Sequence, residues 1–206
     1  MKIGSFNLEK DGIFIIAELS ANHNGKLQNA LDAIKAAKDI GADCIKLQTY
    51  TADTITLDCK KNDFMINHDT LWDGQYLYDL YKDASTPWDW HKELFEYARS
   101  IDIDIFSSPF DKTAVDFLEQ FNPTAYKIAS FEITDYELIR YTAAKGRPMI
   151  ISTGMADSGE IQEAIDAARD GGCKELAILH CVSGYPAPAE DYNLKTITDM
   201  QQRFGL

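Results

Sequence analysis

Short apolar runs rich in β-branched residues alternate along the chain with segments whose apolar residues recur every three or four positions. Buried parallel strands read as continuous apolar runs and the helices packed on them as stripes, so the pattern predicts successive βα units. The first predicted strand, Ile13 to Ala17, passes through the turn Asn22 to Gly25 into a helix carrying Leu27, Leu31, Ile34 and Ala37 on one face and ended by Gly41. The second strand is Cys44 to Leu47. The polar excursion that follows, Thr51 to Gly74, is too long for a plain βα connection and is expected to act as a lid or substrate loop. A helix near Tyr76 to Lys82 comes next. Another opens with Thr86 as N-cap and Pro87 as first helical residue, burying Trp90, Leu94, Phe95 and Ala98.

The third strand is Ile103 to Phe106, followed by a helix near Thr113 to Gln120 and a fourth strand, Ala125 to Ala129. A capping box, Thr134 to Glu137, announces the next helix. The fifth strand, Met149 to Ser152, leads to a helix from Gly159 to Arg169 that closes at Gly171-Gly172. A sixth, Leu176 to Cys181, enters a Pro-rich loop and a last helix. The predicted class is α/β, a (β/α)8 TIM-type barrel, incomplete with about six of eight βα units; a closed barrel typically takes about 250 residues. An open doubly wound sheet is the alternative, but no Gly-rich dinucleotide fingerprint follows the first strand.

The net charge of −13 excludes nucleic acid as a partner, because binding it requires a basic surface that releases counterions. Any anion site must be local and inward-facing. No apolar run approaches the roughly 20 residues that span a bilayer, and no signal peptide opens the chain, so a cytoplasmic protein without membrane contact is expected. Cys44, Cys59, Cys173 and Cys181 lack metal-ligand or disulfide spacing and read as reduced structural thiols. His23, His68, His91 and His180 are scattered, and His180, in an apolar run, reads as a satisfied core histidine.

In a barrel the chemistry sits where strands end, and every predicted strand ends in polar residues. These are Glu18 on the first, Lys46 and Gln48 on the second, Ser107 and Ser108 on the third, and Lys127, Ser130 and Glu132 on the fourth. The fifth ends in Ser152 and Thr153; the sixth leads to Ser183 and Tyr185. Lys46 and Lys127 each lie between apolar neighbours, where an ammonium requires an opposite charge. Either they hold an anion or they form structural ion pairs with Glu18 and Glu132. Ser108, Ser130, Ser152 and Ser183 could donate to phosphate oxygens or be ordinary turn residues. Glu18 and Glu132 could act as acid, base or sugar-hydroxyl acceptor.

The segments IIAELSANHNG, GADCIKLQTY, FSSPFD, AYKIASFE, IISTGMA and LHCVSGYPAPAEDYNL resemble, in order and spacing, the sialic-acid (nonulosonic acid) synthase family. The stretch LWDGQYLYDLYKDASTPWDWH resembles its pseudaminic acid branch. The resemblance implies condensation of phosphoenolpyruvate with an amino-sugar aldehyde of the diacetamido-trideoxy-altrose type and water, giving a nonulosonic acid and phosphate. N-acetylneuraminate or legionaminic acid synthesis, a class I aldolase and a non-catalytic fragment are the alternatives. It further implies that Lys46, Ser108, Lys127, Ser130, Ser152 and Ser183 hold phosphoenolpyruvate, and that Glu18, Gln48, Glu132 and Tyr185 face the sugar or the attacking water. Val182-Ser183 stands where N-acetylneuraminate synthases commonly carry Thr-Asn. A divalent metal, manganese or magnesium, is implied with ligands on strands outside this chain, as is a homodimer whose small C-terminal antifreeze-like domain is also outside it. Residues 1–206 are thus expected to be the N-terminal portion of the synthase barrel and inactive alone.

Overall fold

A computed structural model describes residues 1–67, 72–184 and 186–206, in two compact units. The first consists of residues 1–14 and 123–206, the second of residues 15–122.

The first unit opens with a hairpin that sequence reading misses, β1 (Lys2–Ile3) paired antiparallel with β2 (Phe6–Asn7). Its strands are too short to show any periodicity.

The second unit is a run of three parallel strands with helices between them. β3 (Ile16–Glu18) pairs with β4 (Cys44–Thr49), and β4 with β5 (Asp104–Pro109). The first strand thus starts later than predicted, and Ile13 and Ile15 are exposed. α1 (Leu27–Asp39) buries Ala30, Ile34 and Ala37 and ends before Gly41, whose φ of 87° lies in the left-handed region that glycine enters without strain.

The excursion after β4 carries a short helix α2 (Ala52–Ile55), a 3-10 turn (Asn62–Phe64) and a bridge from Met65 to Tyr76. His68 and its neighbours to residue 71 lie outside the described residues. α3 (Leu77–Ala84) follows. The expected Thr86 cap does not form: Thr86 is buried with no hydrogen-bond partner among the described residues, and a 3-10 turn (Trp88–Trp90) capped by Pro87 precedes α4 (His91–Ser100). Pro87 has ψ 134°, extended rather than helical, so the helix starts four residues late. Leu94, Phe95 and Ala98 are buried as predicted, Trp90 only half so.

α5 (Lys112–Glu119) is capped by Asp111, whose carboxylate accepts from the Thr113 and Ala114 N–H groups. The outward strand face meets α4 through His91 Nε2, 2.8 Å from Thr49 Oγ1, which in turn lies 2.7 Å from Ser107 Oγ. Burial holds His91 well below the ordinary imidazole range, at about 4, so it is neutral.

The first unit continues with a second parallel run, in which β6 (Tyr126–Ile128) pairs with β7 (Met149–Ser152) and β7 with β8 (Leu176–Leu179). α6 (Tyr136–Ala143) is capped by Asp135 rather than by Thr134. The Asp135 carboxylate accepts from the Leu138 N–H at 2.9 Å, a charge-assisted bond that outcompetes a hydroxyl. α7 (Ser158–Asp170) has a complete capping box between Asp157 and Glu160 and packs on α6; α8 (Lys195–Phe204) buries Met200. No helix of the described residues is long and apolar enough to cross a membrane. All four cysteines are free thiols.

Candidate active site

Parallel register and the two-residue period of a strand decide which side chains share a face. In the second unit Glu18 stands opposite Lys46, and Gln48 opposite Ser108, so Glu18, Lys46, Gln48 and Ser108 gather on the face turned away from α4. Ile45, Leu47, Ile105 and Ser107 point the other way into the helix contact.

Lys46 is only 6% exposed, and its ammonium pairs with Glu18 Oε2. The ion-pair alternative raised by the sequence is therefore realised for Lys46. The Glu18 side chain remains 43% exposed, so the pair sits at the edge of solvent, where an incoming anion can compete for the ammonium. Ser108 is fully buried, and its Oγ has no hydrogen-bond partner among the described residues. An unmet buried hydroxyl costs about 1–3 kcal/mol.

In the first unit Lys127 stands opposite Ile150, and Ser152 opposite Leu179, so Lys127 and Ser152 share a strand face. Lys127 is half-buried between the fully buried Tyr126 and Ile128. A 3-10 turn, Ser130–Glu132, follows β6. Burial pushes the Glu132 carboxyl up to about 7, outweighing its own backbone N–H and the nearby Lys127 charge, which pull it down. Its Oε2 is buried with no partner among the described residues. A carboxyl that is half ionised at neutral pH can both give and take a proton.

Gly154 is a position that sequence reading passes over. A methyl group built on its α-carbon would collide with Ser183 Oγ, lie 2.9 Å from Ser130 Oγ and 3.3 Å from the Cys181 Cβ. Two hydroxyls thus converge on a space that only glycine leaves open. Glycine carries no chemistry of its own, so only the fold could reveal it. A cavity of about 370 Å³ in this unit is lined by Gly154, Met155, His180, Cys181, Asp199 and Arg203, among others.

His180 is not a core residue: β8 ends at Leu179, and the ring is half-buried with Nε2 2.8 Å from the Tyr192 carbonyl oxygen. Tyr185, expected at the sugar, lies outside the described residues. Among the described residues no three His, Cys, Asp or Glu side chains are grouped to hold a metal ion.

Parallel βα runs with lysines, hydroxyls and carboxylates at the strand ends define an α/β chain of the barrel class. The chain belongs to the NeuB family, whose model matches residues 33–206. It is 48% identical to the pseudaminic acid synthase of Campylobacter jejuni over all 206 residues, covering 60% of that protein. It is also 48% identical to the pseudaminic acid synthase of Helicobacter pylori, over 93% of this chain and 56% of that one. Among solved structures it resembles the N-acetylneuraminic acid synthetase of Leptospira borgpetersenii, with a TM-score of 0.80 and 30% identity over 93% of this chain and 61% of that one. Within the family it is similar to pseudaminic acid synthases, and its fold is that of an incomplete (β/α)8 barrel. The chain spans about 60% of the length of the Campylobacter relative it matches.

Proposed function

We propose that the chain belongs to an enzyme that condenses phosphoenolpyruvate with an amino-sugar aldehyde to form a nonulosonic acid, pseudaminic acid being the product the relatives' names favour. The observation that carries this reading is the open space at Gly154, onto which the Ser130 and Ser183 hydroxyls converge. Hydroxyl donors around a vacant, side-chain-free position suit a phosphate or carboxylate oxygen. Lys127 and Ser152 add charge and a further donor on the same unit. Lys46 and Ser108 supply the same chemistry in the other, where an anion would take over the ammonium that Glu18 now holds.

In the reaction the methylene carbon of phosphoenolpyruvate attacks the aldehyde carbon. Water adds to the carbon that bears the phosphate, and phosphate leaves. Glu132, poised near 7, exchanges the proton with the sugar oxygen or the water, while the lysines stabilise the anionic groups throughout. The implied divalent cation would polarise the aldehyde, and no residue of this chain is assigned to it.

The test is calorimetric titration of the chain with phosphoenolpyruvate at fixed salt, beside Gly154→Ala and Lys127→Ala. Binding that weakens at least about tenfold in both, with unchanged circular dichroism, supports the reading; tenfold corresponds to about 1.4 kcal/mol. A folded chain that binds no phosphoenolpyruvate overturns it.

A further inference from the structure

Ser20 is absent from every sequence-based assignment, yet it bridges two of the residues proposed to face the sugar. Its backbone N–H donates to Glu18 Oε1 at 3.1 Å, and its hydroxyl donates to Gln48 Oε1 at 3.2 Å. It does so from φ 48°, a left-handed conformation that a residue with a Cβ adopts only under local constraint.

The constraint is visible on both sides. Leu19 is buried, and its N–H donates to the Lys46 carbonyl, extending the strand pairing. Beyond Ser20 the loop is pinned by His23, which is 1% exposed. Its Nδ1 accepts from the Gly25 N–H, its carbonyl accepts from the Asn29 amide, and its ring packs edge-on against Trp90 with centroids 5.4 Å apart. A loop anchored this firmly fixes the direction of the Ser20 hydroxyl.

A carboxamide can present either its oxygen or its nitrogen in a given direction. In this structure Gln48 Oε1 accepts from the Ser20 hydroxyl, so the N–H groups of the same carboxamide are the end not engaged by Ser20. We propose that Ser20 is a positioning residue that fixes the Gln48 carboxamide as a donor, so that this end of the site recognises a hydrogen-bond acceptor, such as the carbonyl of an acetamido group, on the sugar. The inference rests on the proposed function, because it takes the ligand facing Gln48 to be an N-acylated sugar.

The test uses the nitrogen-15-labelled full chain and follows the Gln48 side-chain amide pair, assigned by its disappearance in Gln48→Glu. Two variants remove the hydroxyl in opposite backbone contexts: Ser20→Gly relaxes the left-handed residue, and Ser20→Ala keeps the strain. The expected result is a dispersed, rigid Gln48 pair in the parent chain. In both variants it should move to the position of a free carboxamide, with the order parameter falling below about 0.6. An unchanged pair in Ser20→Gly, or a change confined to Ser20→Ala, overturns the role of the hydroxyl. Adding an N-acetylated hexosamine should shift the pair in the parent chain and not in the variants; no shift in the parent overturns acceptor recognition. Phosphoenolpyruvate titration of the same samples separates the two readings. Loss of Gln48 order with phosphoenolpyruvate binding retained supports both, whereas a parent chain that binds no phosphoenolpyruvate overturns the proposed function and leaves Ser20 to be judged by the amide signals.

Discussion

Replacing Glu132 by glutamine substitutes a neutral isostere for a carboxyl that the fold disfavours in its charged form. An acid raised in the folded state from 4.5 to about 7 stabilises the fold only while protonated. Stability is therefore greatest below pH 4.5 and is lost as pH rises from there through 7. Between pH 5 and pH 8 the penalty grows by roughly 2.5 kcal/mol at 1.36 kcal/mol per unit, reduced to roughly 2 because the side chain keeps partial solvent access. Glu132→Gln should thus gain roughly 2 kcal/mol on the parent over that interval, a shift of about 1 M in urea midpoint. Circular dichroism is the suitable signal, since Trp72, Trp88 and Trp90 all lie in the unit of residues 15–122 and Glu132 in the other. A midpoint difference that is the same at pH 5 and pH 8 would refute buried ionisation at this residue.

Three further outcomes are expected. Ser108→Ala should leave stability unchanged or raise it by about 1 kcal/mol, since it deletes an unmet buried hydroxyl, while weakening phosphoenolpyruvate binding about tenfold in calorimetry; a loss of stability would show the hydroxyl to be bonded. His91, held near 4 in the fold, contributes stability above pH 6.5 that is lost as pH falls toward 4, roughly 3 kcal/mol in all. Tryptophan fluorescence during urea unfolding should show that acid slope in the parent and a flatter one in His91→Gln; equal slopes would assign the lability elsewhere. Asp157→Ala removes a complete capping box and should cost about 1 kcal/mol by urea unfolding, and no loss would mean that the α7 terminus is held by packing alone.

The strands were legible because burial on both faces writes itself as unbroken apolar runs: Met149 to Ser152 was placed residue for residue, and Lys46 and Lys127 stood out against such runs. Helix starts were less legible, because more than one polar residue offers itself. Asp135 takes the place expected for Thr134, and Pro87 begins a 3-10 turn that delays α4 to His91. Gly154 and Ser20 could not be found from residue type. One acts by lacking a side chain, and the other by a backbone angle that only the folded loop imposes.

The alternation along β4 and β5 has a consequence for descent. Positions 46, 48 and 108 can be exchanged without disturbing positions 45, 47 and 105, because the two sets point in opposite directions from the same backbone. A lineage can therefore vary the polar face of a strand while inheriting the packing of the other. Single-residue insertions in these strands are barred, since they would trade the two inheritances for one another.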